Sequence, residues 1–486
     1  MAPAYKFTYF DTRGVAEAAR FLFKYGNIDF EEIRIKKEDW PPIKNNYPFG
    51  HLPVLEHNGK IIGQSISICR YLGKVVNLAG NDDWENLEID AIVDTINDMR
   101  LKGTLPQTEQ DPEKRQKLKD ITLKETVPYY FSRLDAIVKK NNGYLALGRL
   151  TWADLYLISF STNFDQFVGG DTYEKYPNLQ ALRKKVEALP AIKKWIEERP
   201  YCFRTFKAKT FVFPEWHLPT NLLNLTPGGI EFEDVRVKAE EWWTQWKEID
   251  LIGLLVKLIT TFVYNYYAHL TRSFHITTFS TDMAPTYKLT YFDFCGLGEP
   301  CRFILSYGRI EFEDFRIKWE DWPQWRERTP FGLLPLLEHN GKQVNQSKAI
   351  ARYLAKKVKL VGDDDWENLE IDAIVDTLDD LRQKVVTIFF EQDETKKEVL
   401  RQTVIKEHCP YYYSRLEKVV QKNGGHLALN RLTWADLYFA AISPLFDALS
   451  GNNNLSDYPN LTVLKERVNA IPAIKKWIET RPKSDF

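Results

Sequence analysis

The sequence predicts an α/β domain followed by an all-helical domain, and it predicts this two-domain unit twice in one chain of 486 residues. The first observation is an internal repeat: residues 1–200 match residues 283–486 at the constant spacing that separates Tyr5 from Tyr287. The second is the alternation of strand and helix patterns that opens each copy. The third is the purely helical pattern that follows it.

The first part of each copy has the order βαβ and then ββα, which is typical of a thioredoxin-like sheet. The first strand ends in the aromatic pair Tyr9-Phe10, and Asn58-Gly59 is a strong signal for a hairpin turn. Gln64-Ser65 opens a helix, and serine suits the N-cap position. The predicted elements are strands over 5–10, 29–35, 52–56 and 59–62, and helices over 14–25 and from 64 to about 75.

The second part of each copy is helical by the spacing of its apolar residues. In the first copy we predict helices over 87–101, 120–141, 151–167 and 179–199. Thr151 and Asp154 form a capping-box pattern, which Thr433 and Asp436 repeat. We interpret both pairs as a buried folding signal.

The domain boundaries follow from these patterns. The predicted domains are α/β over 1–82 and 283–364, all-helical over 83–200 and 365–486, and a connector over 201–282.

The connector fits neither copy. Residues 229–242 resemble residues 309–322, so they form a fragment of a third copy that is too short to complete a sheet. Residues 251–268 are apolar, and three interpretations stay open: a helix packed on the body, a membrane anchor, or non-coding sequence joined into the chain. Because Met283 begins a repeat of the chain's own start, a fusion of two neighbouring genes is as compatible with the sequence as a genuine tandem protein.

Composition excludes several classes of protein. A formal net charge of −1 argues against a nucleic-acid surface. Five cysteines without a CxxC pair favour reduced thiols, and the eight histidines lack metal-ligand spacing, so we predict no metal site. The first residues show no signal-peptide pattern, and we expect a cytoplasmic protein.

Five motifs occur in both copies in the same order. They are YKxTYFxxxGxxExxR, a W-P pair, PFGxLPxLE, QSxxIxRYL and LTWADLY. In combination they resemble the cytosolic glutathione S-transferases, above all the sigma class and its insect members. The resemblance covers nearly all of both copies and neither 201–228 nor 249–282.

The resemblance implies that Tyr9 and Tyr291 are catalytic, each donating a hydrogen bond that favours the glutathione thiolate. A free thiol has a pKa of about 8.5, and a thiol mostly ionised at pH 7 needs a pKa lower by roughly 2.5, or ~3.4 kcal/mol. One hydrogen bond to a charged group contributes ~1.5–3 kcal/mol. We therefore expect nearby amides and a helix N-terminus to help. Without the other motifs, Tyr9 would be interpreted as a packing aromatic of a strand.

The resemblance also implies the residues that hold glutathione. A tryptophan and a basic residue would bind its glycine end, the backbone before a cis-proline its cysteinyl amide, and a Gln-Ser pair its γ-glutamyl carboxylate. An aspartate would reach the γ-glutamyl amine across a dimer interface. In the first copy these residues are Trp40, Lys44, Leu52, Pro53, Gln64, Ser65 and Asp98; in the second they are Trp322, Arg326, Leu334, Pro335, Gln346, Ser347 and Asp380.

Some positions depart from the family or add to it. Some sigma-class enzymes have an arginine where this chain has Val15 and Leu297, which weakens the case for a specialised prostaglandin D isomerase. Cys295 stands in the first loop of the second copy, and we interpret it as a passive small residue. The neighbours of the two aspartates resemble an interface cation site of some members; they are Asp94, Asn97, Asp376 and Asp379.

We expect an enzyme that conjugates reduced glutathione to hydrophobic electrophiles, including aldehydes from lipid peroxidation, with glutathione as co-substrate and no further cofactor. The alternatives are a glutathione-dependent prostaglandin isomerase or peroxidase, and a low-activity structural relative like the lens crystallins. The copies would pair with each other or in a homodimer, without nucleic-acid or membrane partners. The apolar pocket wall has six candidates: Leu105, Phe131, Phe164, Phe390, Tyr413 and Phe446.

Overall fold

The computed structural model describes residues 4–109, 111–168, 172–200 and 286–484. The predicted connector, with its third-copy fragment and its apolar stretch, lies outside the described residues. The two copies belong to one compact body, Met1–Thr205 with Pro285–Phe486. Among the helices of the described ranges, none is long and apolar enough to cross a membrane.

Each copy begins with a four-stranded mixed sheet. The strand order is β2-β1-β3-β4 in the first copy and β6-β5-β7-β8 in the second. The first two strands of each sheet are parallel, and the hairpin strands run antiparallel to them. The hairpins turn at Asn58-Gly59 and Asn340-Gly341, where all four residues have positive φ. The predicted order of strands and helices is confirmed.

The bounds of the α/β elements are nearly identical in the two copies. The first copy has β1 Tyr5–Phe10, α1 Glu17–Tyr25, β2 Phe30–Ile35, α2 Trp40–Ile43, β3 Val54–His57, β4 Lys60–Gly63 and α3 Ser65–Val75. The second copy has β5 Tyr287–Phe292, α10 Glu299–Tyr307, β6 Phe312–Ile317, α11 Trp322–Arg326, β7 Leu336–His339, β8 Lys342–Asn345 and α12 Ser347–Lys357.

The rest of each copy is helical. In the first copy the helices are α4 Asp83–Thr108, α5 Pro112–Ile121, α6 Val127–Lys140, α7 Trp152–Val168, α8 Pro177–Glu187 and α9 Pro190–Glu198. In the second they are α13 Asp365–Val385, α14 Thr387–Phe390, α15 Glu394–Thr403, α16 Cys409–Lys422, α17 Trp434–Ser450, α18 Pro459–Asn469 and α19 Pro472–Thr480.

Two predicted helices differ from the structure. The single helix expected over 179–199 is two helices, because Pro190 cannot continue the hydrogen-bond ladder of α8 and instead opens α9. The helix expected over 120–141 is α5 and α6 joined by one π-helical turn, Thr122–Thr126.

The Thr-Asp pairs form the predicted buried signal. The Asp154 carboxylate accepts hydrogen bonds from the amides of Thr151, at 2.7 Å, and Leu145, at 2.8 Å. Asp436 does the same for Thr433 and Leu427. Both aspartates are fully buried, so each one fixes the loop before its helix to the start of that helix.

Charged side chains join the two copies along α3, α4, α12 and α13. Arg70 donates to Asp90 of its own copy, at 2.8 Å, and to Asp372 of the other, at 3.1 Å. Arg352 repeats this with Asp372 and Asp90, at 2.7 and 3.1 Å. Because the two arginines make reciprocal contacts, this part of the interface has two-fold pseudo-symmetry. All four side chains are buried, and their opposite charges are paired.

An aromatic residue from each copy inserts into the other. Phe331 packs in the core of the first copy, and Phe49 packs against the core of the second. Both have positive φ, near +54°, in the loop before the third strand. Their backbone carbonyls accept hydrogen bonds from Tyr129, at 2.7 Å, and Tyr411, at 2.8 Å. Each helical domain therefore binds the α/β domain of the other copy.

Candidate active sites

Each predicted catalytic tyrosine lies at the carboxyl end of the first strand, against a glycine. Tyr9 and Tyr291 are 9% and 6% exposed. A Cβ on Gly14 would lie 2.5 Å from the Tyr9 hydroxyl, and one on Gly296 would lie 2.7 Å from the Tyr291 hydroxyl. Both glycines also have positive φ, so only glycine lets the loop close over the hydroxyl.

The hydroxyl of Tyr291 is oriented by the backbone. The Leu297 amide donates to it at 3.0 Å, so its own proton remains for an acceptor in the cavity. Burial raises the pKa of Tyr291, which keeps the phenol protonated at neutral pH. The Leu297 amide thus orients the tyrosine, and the expectation that amides help to stabilise the thiolate stays a prediction.

An arginine that was not predicted from the sequence lies beside each tyrosine. Arg382 lines the same cavity as Tyr291, and its positive charge opposes the rise in the pKa of that tyrosine. Arg100 lines the cavity of Tyr9 and donates to the Asn97 side chain at 2.7 and 3.1 Å. The sequence did contain a signal for these two residues, because an arginine occupies the same helical position in both copies.

The residues predicted for the glycine end lie near the tyrosines. Trp40 contacts Phe10, the neighbour of Tyr9, with ring centroids 5.6 Å apart, and Trp322 contacts Phe292 at 5.5 Å. The peptide bonds Leu52–Pro53 and Leu334–Pro335 are both cis. Trp322, Arg326 and Leu334 line one cavity with Tyr291.

Tyrosines of the opposite copy face the predicted basic residues. The Lys44 ammonium lies 5.9 Å from the ring centre of Tyr411, and the Arg326 guanidinium lies 4.8 Å from that of Tyr129. These are the two tyrosines that bind the inserted Phe49 and Phe331 loops. Neither tyrosine was predicted from the sequence, since a tyrosine in a helix carries no signal of its own.

The predicted γ-glutamyl residues meet across the two copies. Gln64 donates to Asp380 at 2.9 Å and to Thr377 at 3.0 Å. Gln346 donates in the same way to Asp98, at 2.9 Å, and to Thr95, at 3.1 Å. Each site thus combines a glutamine of one copy with an aspartate and a threonine of the other.

The expectation that serine is the N-cap was wrong. The helices begin at Ser65 and Ser347, and Gln64 and Gln346 are the N-cap residues, with φ of 75° and 81° and no side-chain cap. The glutamine side chains contact the opposite copy instead of capping. The first helical amides therefore have no side-chain cap, an arrangement that suits an anion.

The aspartates of these sites have raised pKa values. Burial raises the pKa of Asp380 to about 6, with the negative Asp379 and Asp376 adding to it. Burial raises the pKa of Asp98 as well. His51 lies 3.8 Å from Asp380, but burial and the nearby Arg415 lower its pKa to about 4, so it is neutral at pH 7.

Two cavities open beside the tyrosines. The one at Tyr291 has a volume of about 550 Å³ and the one at Tyr9 about 280 Å³. The larger cavity includes residues of the first copy, among them Lys102 and Tyr130. Of the six apolar candidates, Phe164 and Phe390 line a cavity. Phe131, Tyr413 and Phe446 are buried in the helical cores, and Leu105 lies outside the lining.

A lysine occupies the acidic cluster that resembles a cation site. The Lys348 ammonium lies 2.7 Å from Asp376, 3.3 Å from Asp379 and 4.0 Å from Asp94. Burial opposes its charge, but the three carboxylates outweigh burial and hold the pKa of Lys348 well above its usual value. The matching residue of the first copy is Ile66, so the cluster receives one lysine, and Asp379 is also paired with Arg382 at 2.5 Å.

In this chain a lysine therefore supplies positive charge to the cluster that resembles a cation site. Among the described residues, no group of three or more histidine, cysteine or acidic side chains is arranged to hold a metal ion.

Cys295 has the environment of an inert thiol. Its sulfur lies 3.7 Å from the Ser484 hydroxyl. Burial and the negative Glu299 raise the pKa of Cys295. A thiol that ionises less readily is a poorer nucleophile, which agrees with a passive role.

The fold and the sites together define a two-domain enzyme with a thioredoxin-like sheet, a tyrosine at the end of its first strand and a helical domain. The family model described as the glutathione S-transferase N-terminal domain matches residues 5–74 and 287–356. That of the glutathione S-transferase C-terminal domain matches residues 97–199 and 379–481.

Known relatives match one copy at a time. A glutathione S-transferase of Anopheles gambiae is 44% identical over 198 residues, which are 41% of this chain and 98% of the relative. Glutathione S-transferase S1 of Drosophila melanogaster is 44% identical over 40% of this chain and 79% of its own length. Hematopoietic prostaglandin D synthase of Homo sapiens is 39% identical over 41% of this chain and 98% of its own. The chain belongs to the glutathione S-transferase family, and it carries both domains of that family twice.

Proposed function

We propose that the chain conjugates reduced glutathione to hydrophobic electrophiles at two sites, with Tyr9 and Tyr291 stabilising the thiolate. The observation that carries this proposal is the repeated geometry: a buried tyrosine hydroxyl, a cavity beside it and a glutamine paired with an aspartate of the other copy. At each site the tyrosine donates to the sulfur. The positive arginine beside it, Arg100 or Arg382, favours the anionic sulfur further.

The other predicted residues would hold the tripeptide in place. Gln64 and Ser65 would bind its γ-glutamyl carboxylate, with Asp380 on the amine, and Gln346, Ser347 and Asp98 would do the same at the second site. The backbone of Leu52 before Pro53, and of Leu334 before Pro335, would pair with the cysteinyl amide. The glycine carboxylate would meet Trp40 with Lys44, and Trp322 with Arg326. Glutathione is the co-substrate, and we propose no further cofactor.

We propose that the two copies of one chain form the pair that completes both sites. The Gln64–Asp380 and Gln346–Asp98 contacts support this pairing, because each site takes an aspartate from the other copy. The four described cysteines are free, which supports a reducing, cytoplasmic location. Lipid-peroxidation aldehydes are the electrophile class that we favour.

An isomerase is the second candidate, since hematopoietic prostaglandin D synthases of four vertebrates are 38–41% identical to one copy. An isomerase would use the same thiolate. Val15 and Leu297 stand where some sigma-class enzymes have an arginine, which favours conjugation.

The affinity for glutathione should fall as the pH drops below about 6. Asp380 has a pKa of about 6 and therefore gains a proton in this range, and the pKa of Asp98 is raised in the same direction. The glutathione amine stays cationic there. Losing a charged hydrogen bond costs ~1.5–3 kcal/mol, or roughly tenfold or more in affinity. Calorimetric titration at pH 5 and pH 7 measures this change.

Cysteinylglycine is the matched control for this titration, because it lacks the γ-glutamyl group but keeps the thiol and the glycine end. Its affinity should be weaker than that of glutathione at pH 7 and nearly equal at the two pH values. If the chain binds both peptides alike at pH 7, the proposed glutathione site is wrong.

A further inference from the structure

The walls of the two cavities differ at matching positions of α4 and of the segment formed by α13 and α14. The first cavity is lined by Thr104 and Gln107, and the second is lined by Val386 and Phe389 at the equivalent positions. A hydroxyl and an amide are thus replaced by two apolar side chains, whereas the arginine beside the tyrosine is the same in both. The exchanged positions follow that arginine by four and seven residues in both copies.

Aromatic side chains extend the second cavity on its other side. Phe294 and Trp319 line it, and their equivalents in the first copy are Thr12 and Lys37. Trp319 lies 4.8 Å from Phe292 and 5.8 Å from Phe389 between ring centroids, and Phe292 stacks on Phe294 at 5.4 Å. The wall is therefore nearly continuous aromatic surface.

Much of this aromatic wall is open to solvent. Trp319 is 48% exposed and Phe390 is 62% exposed, and both line the cavity. A large apolar molecule in the cavity would cover them, which is favourable in proportion to the apolar area removed from water. In the first copy a threonine holds the position of Phe390.

The first cavity is also narrower for a packing reason. The ring of Phe164 packs directly on Gly103, where a Cβ would lie 2.4 Å from the ring. In the second copy Val385 occupies the position of Gly103, and the equivalent Phe446 is fully buried and does not line the cavity. Phe164 therefore forms part of the wall of the first cavity, whereas Phe446 is no part of the wall of the second.

We propose that the two sites have diverged in electrophile specificity: the second takes large, flat aromatic electrophiles, and the first takes compact electrophiles with a polar group. This inference rests on the proposed function and adds the substrate class of each site. In both sites the thiolate attacks the β-carbon of an unsaturated carbonyl, and a carbon–sulfur bond forms. The carbon–carbon π pair shifts to form the double bond of the enolate, and the carbonyl π pair passes to the oxygen. The enolate then takes up, at its α-carbon, the proton that the thiol released.

The test uses two electrophiles with the same reacting group, methyl vinyl ketone and the aromatic benzylideneacetone. The full-length Tyr9→Phe variant leaves the second site to act, and Tyr291→Phe leaves the first. For each variant the ratio of kcat/KM for the aromatic to the compact ketone is measured, and comparing the two ratios cancels the intrinsic reactivity of the ketones. We expect the ratio to be roughly 10-fold higher in Tyr9→Phe, as differential apolar contacts give discrimination of this order.

Exchange of the cavity wall is the matched control. In the Tyr9→Phe chain, Val386→Thr with Phe389→Gln should lower the ratio, and in the Tyr291→Phe chain, Thr104→Val with Gln107→Phe should raise it. Activity toward methyl vinyl ketone reports that each variant is folded. Ratios that agree within error or reverse, or exchanges that leave them unmoved, overturn the proposal. A Tyr9→Phe and Tyr291→Phe double variant with full activity would instead overturn the proposed function.

Discussion

Replacing both tyrosines, Tyr9→Phe and Tyr291→Phe, should lower kcat/KM for conjugation by roughly 10- to 100-fold. Either single substitution should remove only the part of the total activity that its own site contributes. The physical reason is the loss of one hydrogen bond to the thiolate, worth ~1.5–3 kcal/mol. The ring and its packing are kept, so the stability of the fold should change little. Initial rates with chlorodinitrobenzene as a general electrophile measure the effect.

The pH profile separates this mechanism from a loss of binding. Without the tyrosine hydroxyl the bound thiol has a higher pKa, so the rate of the double variant should recover as the pH rises toward the pKa of a free thiol, about 8.5. Tyr47→Phe is a suitable control, since Tyr47 lies near Trp40 at a ring distance of 5.4 Å and not at the end of the first strand. A double variant with wild-type rates and an unchanged pH profile would contradict the mechanism.

Replacing Lys348 by methionine should lower the free energy of unfolding by ~3–5 kcal/mol. The lysine is 9% exposed and lies within 4.0 Å of three carboxylates. Its removal takes the ammonium away from Asp94 and Asp376, whereas Asp379 keeps its ion pair with Arg382. The carboxylates belong to both copies, so the loss should fall on the contact between copies. Urea unfolding at neutral pH measures the change.

Two further variants test whether the loss of stability comes from the buried ammonium of Lys348. Lys357→Met removes a lysine that pairs with Asp83 across the same contact but is 36% exposed, so it should cost less than ~1 kcal/mol. Adding Asp376→Asn to Lys348→Met removes one of the charges left behind, and part of the stability should return. Equal losses for Lys348→Met and Lys357→Met would contradict the role of the buried ammonium.

The sequence predicted the local elements well, because their signals are local. Alternation of apolar residues, the Asn58-Gly59 turn and the Thr-Asp capping pairs each depend on neighbours in the chain. The errors arose where one residue decides a boundary. Pro190 divides a predicted helix. Gln64 rather than Ser65 takes the N-cap, and its side chain contacts the other copy.

The parts of the sites that the sequence did not predict come from distant chain segments. Tyr129 and Tyr411 donate hydrogen bonds to the backbone of loops in the opposite copy, at Phe331 and Phe49. No spacing in the sequence links these tyrosines to those loops. Lys348 is a single buried residue, and its role as an ion-pair partner depends on carboxylates of both copies. The difference between the cavities was visible in the sequence only once the structure indicated which positions line them.

We propose that each site is completed by the other copy, and the KM for glutathione tests this pairing. In the Tyr291→Phe chain, where the Tyr9 site carries the activity, we measure KM for glutathione after adding Asp380→Asn or Asp98→Asn. Asp380 pairs with Gln64 of the active site, so Asp380→Asn should raise KM roughly tenfold, and Asp98→Asn should leave it unchanged. A rise with Asp98→Asn instead, or with neither variant, would contradict sites shared between the two copies.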